Sequence, residues 1–470
     1  MKRKIIFLGG LLLCSAALCA QTNNVENRYR MPLKEVFDSI EHRFQVRLRY
    51  PAELVKDRDI TYAMYRFEPD LETTLRNVTA YYDLSFVPQP DGSYKIKEYE
   101  YARKQPADGQ KRLEYLSTVY DDLGEWESRK KELRRCMYET LGVAPLREKM
   151  TLRMVATTPV RKMQGYTVQN FALETIPGMY VTGSVYRPTG KAARGKVPLI
   201  LNPNGHFGQG RYRKDMQARC ATFARMGAIA VNFDLFAWGE SQLQFGGRGD
   251  HNKSVALTMQ TLDALALLDY FTQEKDVDVT RIGITGGSGG GTQTMLMTAL
   301  DDRIAASAPV VSVSSYFHGG CPCESGLPIH LCGRGTNNAE IAAMAAPRPM
   351  LLVSDGKDWT ANIPDIEFPF IKRTYGFYGK EGDVYNAHFP TEGHDYAYSK
   401  RQPVYEFMAR YLGLDLEAVR GSDGKVDESG IVFEDEPAFY VFGEKGEKLP
   451  SDAVKGLDAL YRRIAELGGK

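Results

Sequence analysis

Three observations predict an α/β protein: an open, mostly parallel sheet with helices on both faces, preceded by a small α+β module. From about 151 to 414, short apolar strand-like runs alternate with helix-compatible stretches, the signature of repeated strand–helix units in one sheet. Residues 25–98 carry a separate mixed pattern of the size of a small domain. With 470 residues, 43% apolar and 25% charged, the chain resembles an ordinary soluble globular protein and is long enough to bury a large core.

The elements follow in order. Lys2-Arg3-Lys4, the apolar run 5–18 and Ala20 before Gln21 have the form of a cleaved secretory signal over residues 1–20, with a core too short to span a bilayer. Leu18 before Cys19 disfavours a lipoprotein site, which wants a small residue there. Export to a bacterial periplasm is the expectation. The formal net charge is +1, and −2 without Lys2, Arg3 and Lys4. Such a balance excludes nucleic acid and anionic membranes as evident partners.

In residues 21–100, Leu33, Val36, Phe37, Ile40 and Phe44 share one helical face, as do Leu71, Leu75 and Val78. The runs 84–87 and 94–99 flank the turn Pro90-Asp91-Gly92, which reads as a hairpin. Residues 101–150 are charged and helix-prone, with Leu113, Leu116, Tyr120, Leu123 and Trp126 on a stripe, and read as a helical connector. In 151–414, the runs 167–173 and 178–186 suggest an antiparallel pair. The runs 197–202, 228–233, 281–285, 306–311 and 350–354 continue the sheet. The extension 415–470 ends in an amphipathic helix bearing Leu457, Leu460, Ile464 and Leu467.

Chemistry concentrates at Gly286-Gly-Ser-Gly-Gly290, between the strand 281–285 and the helix 292–300. A serine on a sharp strand-to-helix turn needs small neighbours, and the next backbone N–H points where an oxyanion forms. A phosphate-binding loop is the rival, but the Lys-Ser/Thr of a P-loop and the G-x-G-x-x-G spacing are missing. Ser288 therefore reads as a nucleophile, which needs a base and an orienting acid. His394, in Glu392-Gly-His-Asp395 before a helix, is the expected base; His388 sits within a strand-like run. Asp358, in the loop Asp355-Gly-Lys-Asp358 after a strand, is the expected acid, with Asp355 its competitor. Oxyanion donors are expected from Gly289 and from His206 or Phe207 in the loop Asn202-Pro-Asn-Gly205-His-Phe207. Trp238, Trp359 and Tyr316 are candidate sugar platforms, and as aromatic residues equally candidate core.

Without residues 1–20, five cysteines remain: Cys136, Cys220, Cys321, Cys323 and Cys332. An odd count leaves at least one unpaired, and the cluster 321–332 suits a disulfide in an oxidising compartment. His318 and His330 nearby match no standard zinc spacing, and His206 shows no partner set in the sequence. No metal and no organic cofactor is expected.

Several segments together carry a resemblance: Asn204-Gly-His-Phe207, Asn232-Phe-Asp234, Trp238-Gly-Glu-Ser241, Gly286-Gly-Ser-Gly-Gly290, Gly319-Gly-Cys-Pro-Cys-Glu324, Asn337-Asn-Ala-Glu-Ile341, Ala346-Pro-Arg-Pro349, Asp358-Trp-Thr360 and Gly393-His394. Over 160–412 the chain resembles the α/β-hydrolase superfamily, in its acetyl xylan esterase-like branch. That resemblance implies an α/β-hydrolase fold and hydrolysis of small acyl esters, often acetyl groups on plant polysaccharides. The elbow also resembles that of prolyl oligopeptidase-like peptidases, but these carry a large β-propeller for which 150 N-terminal residues leave no room. Residues 28–98 resemble the short N-terminal domain of secretins and TonB-dependent receptors, which implies a periplasmic protein partner for 21–100. A rival of another class is a non-catalytic sensing or binding protein, against which the intact Ser288, Asp358 and His394 speak.

Overall fold

The computed structural model describes residues 29–468; the expected signal segment lies outside them. The chain divides after Tyr101 into two compact units. In the first, the helices Leu33–Phe44 and Leu71–Thr79 pack with a three-stranded sheet. Leu33, Val36, Phe37, Ile40, Leu75 and Val78 form its core, as their helical spacing requires. The hairpin Leu84–Pro88 with Tyr94–Glu98 is antiparallel.

The second unit holds a ten-stranded sheet. Its strands are β1 (Arg153–Thr157), β2 (Arg161–Met163), β3 (Tyr166–Glu174), β4 (Tyr180–Pro188), β5 (Val197–Pro203), β6 (Ile229–Phe233), β7 (Val277–Gly287), β8 (Ile304–Val310), β9 (Met350–Asp355) and β10 (Val384–Phe389). The spatial order is β10-β9-β8-β7-β5-β6-β4-β3-β1, with β2 paired to β3. The strands from β5 to β10 run parallel, and β6–β4, β4–β3 and β3–β1 are antiparallel. Every residue of β5 is buried, because helices cover both faces and a continuous apolar run suits such a strand. Leu199 and Leu201 face one helical layer, and Ile200 between them faces the other, as strand alternation demands.

Two segments read from the sequence as a connector and an extension are packed into the second unit. The helices Pro106–Leu116 and Leu123–Leu141 are part of the second unit: Leu113, Leu116, Tyr120, Trp126 and Leu133 join its main core. The tail is likewise built in, with Val441, Phe442 and Leu460 buried. Sequence periodicity also passes over the helix Val255–Phe271, where only Asp269 and Tyr270 escape full burial. A helix covered all round shows no polar face to count.

That helix encloses Asp263, whose carboxyl burial pushes up to about 7, the Thr175 side chain offsetting this only in part. The folded pKa thus exceeds the unfolded value, so the folded state holds its proton more tightly. This contribution is fully present below the ordinary carboxylate pKa and is lost as pH rises through about 7. Asp263→Asn is expected to unfold at a higher temperature than wild type at pH 8, the gap shrinking towards pH 4, in paired melting curves. An unchanged gap across that range would contradict the linkage.

Cys332 is paired with Cys136, 196 residues away in sequence, and Cys321 with Cys323. The long pairing ties the helix Leu123–Leu141 to the segment after β8, which spacing within the 321–332 cluster does not suggest. Cys220 is the unpaired one; burial pushes its thiol up to about 12. Closing so long a loop restricts the unfolded chain, so Cys136→Ser is expected to cost about 2–5 kcal/mol in urea unfolding of the oxidised protein. An equal midpoint in oxidised wild type would show the link to be idle.

Candidate active site

The functional side chains gather at the carboxyl ends of β5, β7, β9 and β10, where ligand sites of open α/β sheets lie. β7 runs into Ser288, and the helix Gly289–Leu300 starts at the next residue. Ser288 sits at φ 56°, ψ −123°, a sparsely populated conformation for a side chain with a Cβ. Its N–H donates to the Val310 carbonyl at 2.9 Å, which anchors the turn. The loop after β5 lies directly on this elbow. A Cβ on Gly205 would meet the Gly287 carbonyl at 2.4 Å, and one on Gly290 would meet the Pro203 carbonyl at 2.3 Å. Both positions therefore require glycine.

His394 Nε2 lies 2.8 Å from Ser288 Oγ, and His394 Nδ1 lies 2.6 Å from Asp358 Oδ2. With Nδ1 protonated towards Asp358, Nε2 accepts from the serine hydroxyl. Asp358 Oδ1 also accepts from the Thr360 N–H and hydroxyl, at 2.6 and 2.5 Å. Burial pushes the Asp358 carboxyl up, but the hydrogen bonds from His394 and Thr360 outweigh it and hold it below the usual carboxylate range. An ionised Asp358 is what an imidazolium needs behind it. The structure thus brings Ser288, His394 and Asp358 into one hydrogen-bonded line, and this arrangement can take the serine proton as the hydroxyl attacks a carbonyl.

Asp355 stands beside the triad, its carboxylate within 4.8 Å of the Asp358 and His394 atoms, but it is bonded to Lys400 and not to the imidazole. Burial first, and then the charge of Asp358, push its carboxyl up, with Lys400 offsetting this in part. Lys400, fully buried, reaches Asp355 at 3.2 Å and Asp395 at 2.9 Å, and donates to the Gly393 carbonyl. It pins the acid loop to the histidine loop, a role its position in a helix does not announce. His388, on β10, bonds the Ser354 hydroxyl at 2.8 Å through Nδ1.

Gly289 begins the helix, so its N–H has no partner one turn back and is free of the helix ladder for an oxyanion. Opposite lies the loop 204–207. The His206 imidazole packs against Gly289 and has Nε2 2.9 Å from Cys323 Sγ, so its backbone is the candidate oxyanion donor. The Phe207 ring lies 6.0 Å from the His394 ring, and the Arg213 guanidinium stands 4.3 Å above Phe207.

Beneath this loop, Arg211 is fully buried. It donates to Asp234 Oδ2 at 2.9 Å, Glu240 Oε2 at 2.7 Å, Ser184 Oγ at 3.0 Å and the Phe439 carbonyl at 3.1 Å. Glu240 Oε1 in turn accepts from the Val441 and Phe442 N–H groups at 2.7 and 2.9 Å. A paired and fully bonded charge is the form in which burial is tolerated. This knot joins the loops after β5 and β6 to the tail.

The three candidate platforms separate. Trp359 lies 4.4 Å from the His394 ring and 4.5 Å from Phe317, and the Arg103 guanidinium stands 3.8 Å over Phe317. Tyr316 is half-buried, its hydroxyl pushed up by burial and then by Glu367. Trp238 instead packs on His206 and His251, at 6.1 and 5.2 Å, and lines a cavity of about 330 Å³ with Tyr212, Glu436 and Tyr440. His318 and His330 stack on each other at 3.9 Å, and His330 bonds Asn338 at 2.7 Å. Burial lowers their pKa values to about 2 and about 4, which suits neutral rings in a core. The cysteine pair 321 and 323 meets His206 and His251 instead.

Comparison with known proteins agrees with this architecture. A family model described as acetyl xylan esterase (AXE1) matches residues 146–319. The solved structure of the methylesterase BT1017 is 48% identical to the chain, covers 95% of it and 99% of its own length, and superposes with a TM-score of 0.83. YtaP of Bacillus subtilis (strain 168), described as a hydrolase, is 24% identical over 310 residues, which are 60% of this chain and 99% of that protein.

Proposed function

The chain belongs to the α/β-hydrolase esterase family that includes the methylesterase BT1017, and from that premise we propose that it is an exported serine esterase acting on carbohydrate carboxylic esters through Ser288, His394 and Asp358. The observation that carries the reading is the line of two short hydrogen bonds on a strained elbow. Ser288 attacks the ester carbonyl as His394 takes its proton, while Asp358 holds the imidazole and balances its charge. The Gly289 N–H and a backbone N–H of the 205–207 loop receive the oxyanion. The alcohol leaves with the proton from His394. Water, activated by the same histidine, then frees the acid.

We assign methyl esters of sugar carboxylates as the preferred substrates. The likeness to a methylesterase runs through both units of the chain, whereas the acetyl xylan esterase family model stops at residue 319. Acetyl esters of xylan are the second reading, favoured by the family match. Methanol and acetate release from methyl-esterified polyuronate and acetylated xylan separates the two. Methanol alone is the expected result; acetate alone would transfer the assignment to the second reading, and neither product would end both.

The segment 21–100 we read as a protein-contact module, on its likeness to the secretin and TonB-receptor domain. Retention of an envelope protein by the full chain, lost on deleting 21–100, is the expected outcome of a pull-down.

A further inference from the structure

Beside the oxyanion loop, four ligand-type atoms from three distant parts of the chain converge. They belong to His206, His251, Cys321 and Cys323, and all lie within 4.8 Å of one another. His206 Nε2 is 2.9 Å from Cys323 Sγ and 3.4 Å from Cys321 Sγ, and His251 Nε2 is 3.7 Å from Cys321 Sγ. We propose that these four side chains form a structural zinc site.

The donor set is the first argument. Two sulfurs and two imidazoles are the Cys₂His₂ combination of closed, tetrahedral structural zinc. With zinc–sulfur bonds of about 2.3 Å and zinc–nitrogen bonds of about 2.0–2.1 Å, tetrahedral donors stand roughly 3.2–3.8 Å apart. The nitrogen–sulfur distances here, 2.9, 3.4 and 3.7 Å, lie in or just below that range, and the two sulfurs, bonded to each other in this structure, must part before the ion is seated.

Orientation of the histidines is the second argument. His251 Nδ1 lies 2.6 Å from the Phe236 carbonyl, so that nitrogen carries the proton and donates it, leaving the Nε2 lone pair facing the sulfurs. His206 Nδ1 lies 3.5 Å from Glu324 Oε2, which likewise leaves Nε2 for the sulfurs. Glu324 is itself held by the Thr292 hydroxyl at 2.8 Å and the Gly320 N–H at 3.0 Å. Backbone carbonyl and carboxylate partners on the far nitrogen are what metal-bound histidines use to fix their tautomer. A cysteine pair alone gives no reason for two imidazoles, set by separate partners, to aim at the same sulfurs.

The surroundings are the third. Cys323 is 1% exposed and packs in an apolar cluster with Phe236, Phe245, Val255 and Met259. His251 is buried as well, while His206 and Cys321 are partly buried, and four protein donors leave no position for water, as in structural zinc sites.

Zinc binds the two sulfurs as thiolates. Each thiol releases its proton as the sulfur–metal bond forms, so one ion displaces two protons and no electron moves. The Cys321–Cys323 bridge and the loaded site exclude each other. A thiol reductant opens the bridge, two of its thiols passing two electrons and two protons to the pair and joining as a disulfide. In the loaded state the ion clamps His206, and with it the backbone of the loop that faces Ser288. That last consequence rests on the proposed serine mechanism; the site itself does not.

The test uses the full chain grown with zinc and purified under reductant without chelator. Wild type is expected to hold about one zinc per chain by elemental analysis, and Cys321→Ser/Cys323→Ser and His251→Ala about a tenth of that or less. Reduced, metal-free wild type titrated with cobalt(II) is expected to show the intense visible bands of a tetrahedral ion together with thiolate charge transfer, saturating near one equivalent. The cobalt readout depends neither on the variants' folding nor on esterase activity. Zinc retained undiminished by the variants would place the metal elsewhere and overturn the proposal. So would a wild type that carries no zinc and, after reduction, gives no tetrahedral cobalt spectrum.

Discussion

Ser288→Ala is expected to lower kcat on its best ester by roughly 10⁴- to 10⁶-fold, with KM and unfolding midpoint close to wild type. The change removes one oxygen, which touches His394 Nε2 at 2.8 Å, and leaves the backbone of the elbow as it is. His394 then has nothing to deprotonate, so no acyl-enzyme forms. The residual rate is that of water attacking a carbonyl polarised by the Gly289 N–H and the opposite loop. Under the proposed mechanism the serine and histidine act as one device, so the double change Ser288→Ala/His394→Ala is expected to be about as slow as the single one. Steady-state methanol release, with a mass measurement for a trapped acyl-serine in wild type, checks both points. A Ser288→Ala enzyme retaining a tenth of wild-type kcat would remove Ser288 from the mechanism and leave the elbow's strain unexplained.

Arg211→Ala is expected to destabilise the second unit by about 3–5 kcal/mol. Arg211 and its partners Asp234 and Glu240 are almost wholly enclosed, at 0%, 3% and 5% exposure. Removing the guanidinium strands two carboxylates of like charge, cut off from water, and breaks the bonds to Ser184 and the Phe439 carbonyl. Burial already pushes the Glu240 carboxyl up, with Arg211 the main force holding it down; without Arg211, folding must bring a proton with it. The variant is therefore expected to lose less stability at pH 5 than at pH 8. Arg211→Lys should recover only part of the loss, since one ammonium cannot reproduce a planar fork to two acids. Urea unfolding at the two pH values measures all of this. A loss below 1 kcal/mol at pH 8 would mean that water reaches the knot.

The sheet strands and the elbow were readable because their signals are local. A buried parallel strand is an apolar run, and a serine held at positive φ between strand and helix must have glycine neighbours, as at Gly286-Gly-Ser-Gly-Gly290. Asp358 and His394 were readable because each follows a strand of the same sheet, and chain order then limits the choices. What escaped the sequence was carried by distance. Cys332 finds Cys136 across 196 residues, and nothing in the spacing of 321–332 points there. His251 reaches the cysteines only because a short helical turn at Arg248–His251 folds beneath Trp238. Lys400 and Arg211 look like surface charges in sequence, and only their enclosure by carboxylates and carbonyls reveals their work. The helix Val255–Phe271 has no polar face for periodicity to find.

The charged knot also sets an order of assembly. Its last partners, the Phe439 carbonyl and the N–H groups of Val441 and Phe442, lie beyond the final strand of the sheet and the helix Tyr398–Leu412 that covers it. A chain growing from its amino end can lay down every strand and present Ser288, Asp358 and His394 while Arg211, Asp234 and Glu240 still wait, wet and unmatched. The centre seals only when residue 442 arrives.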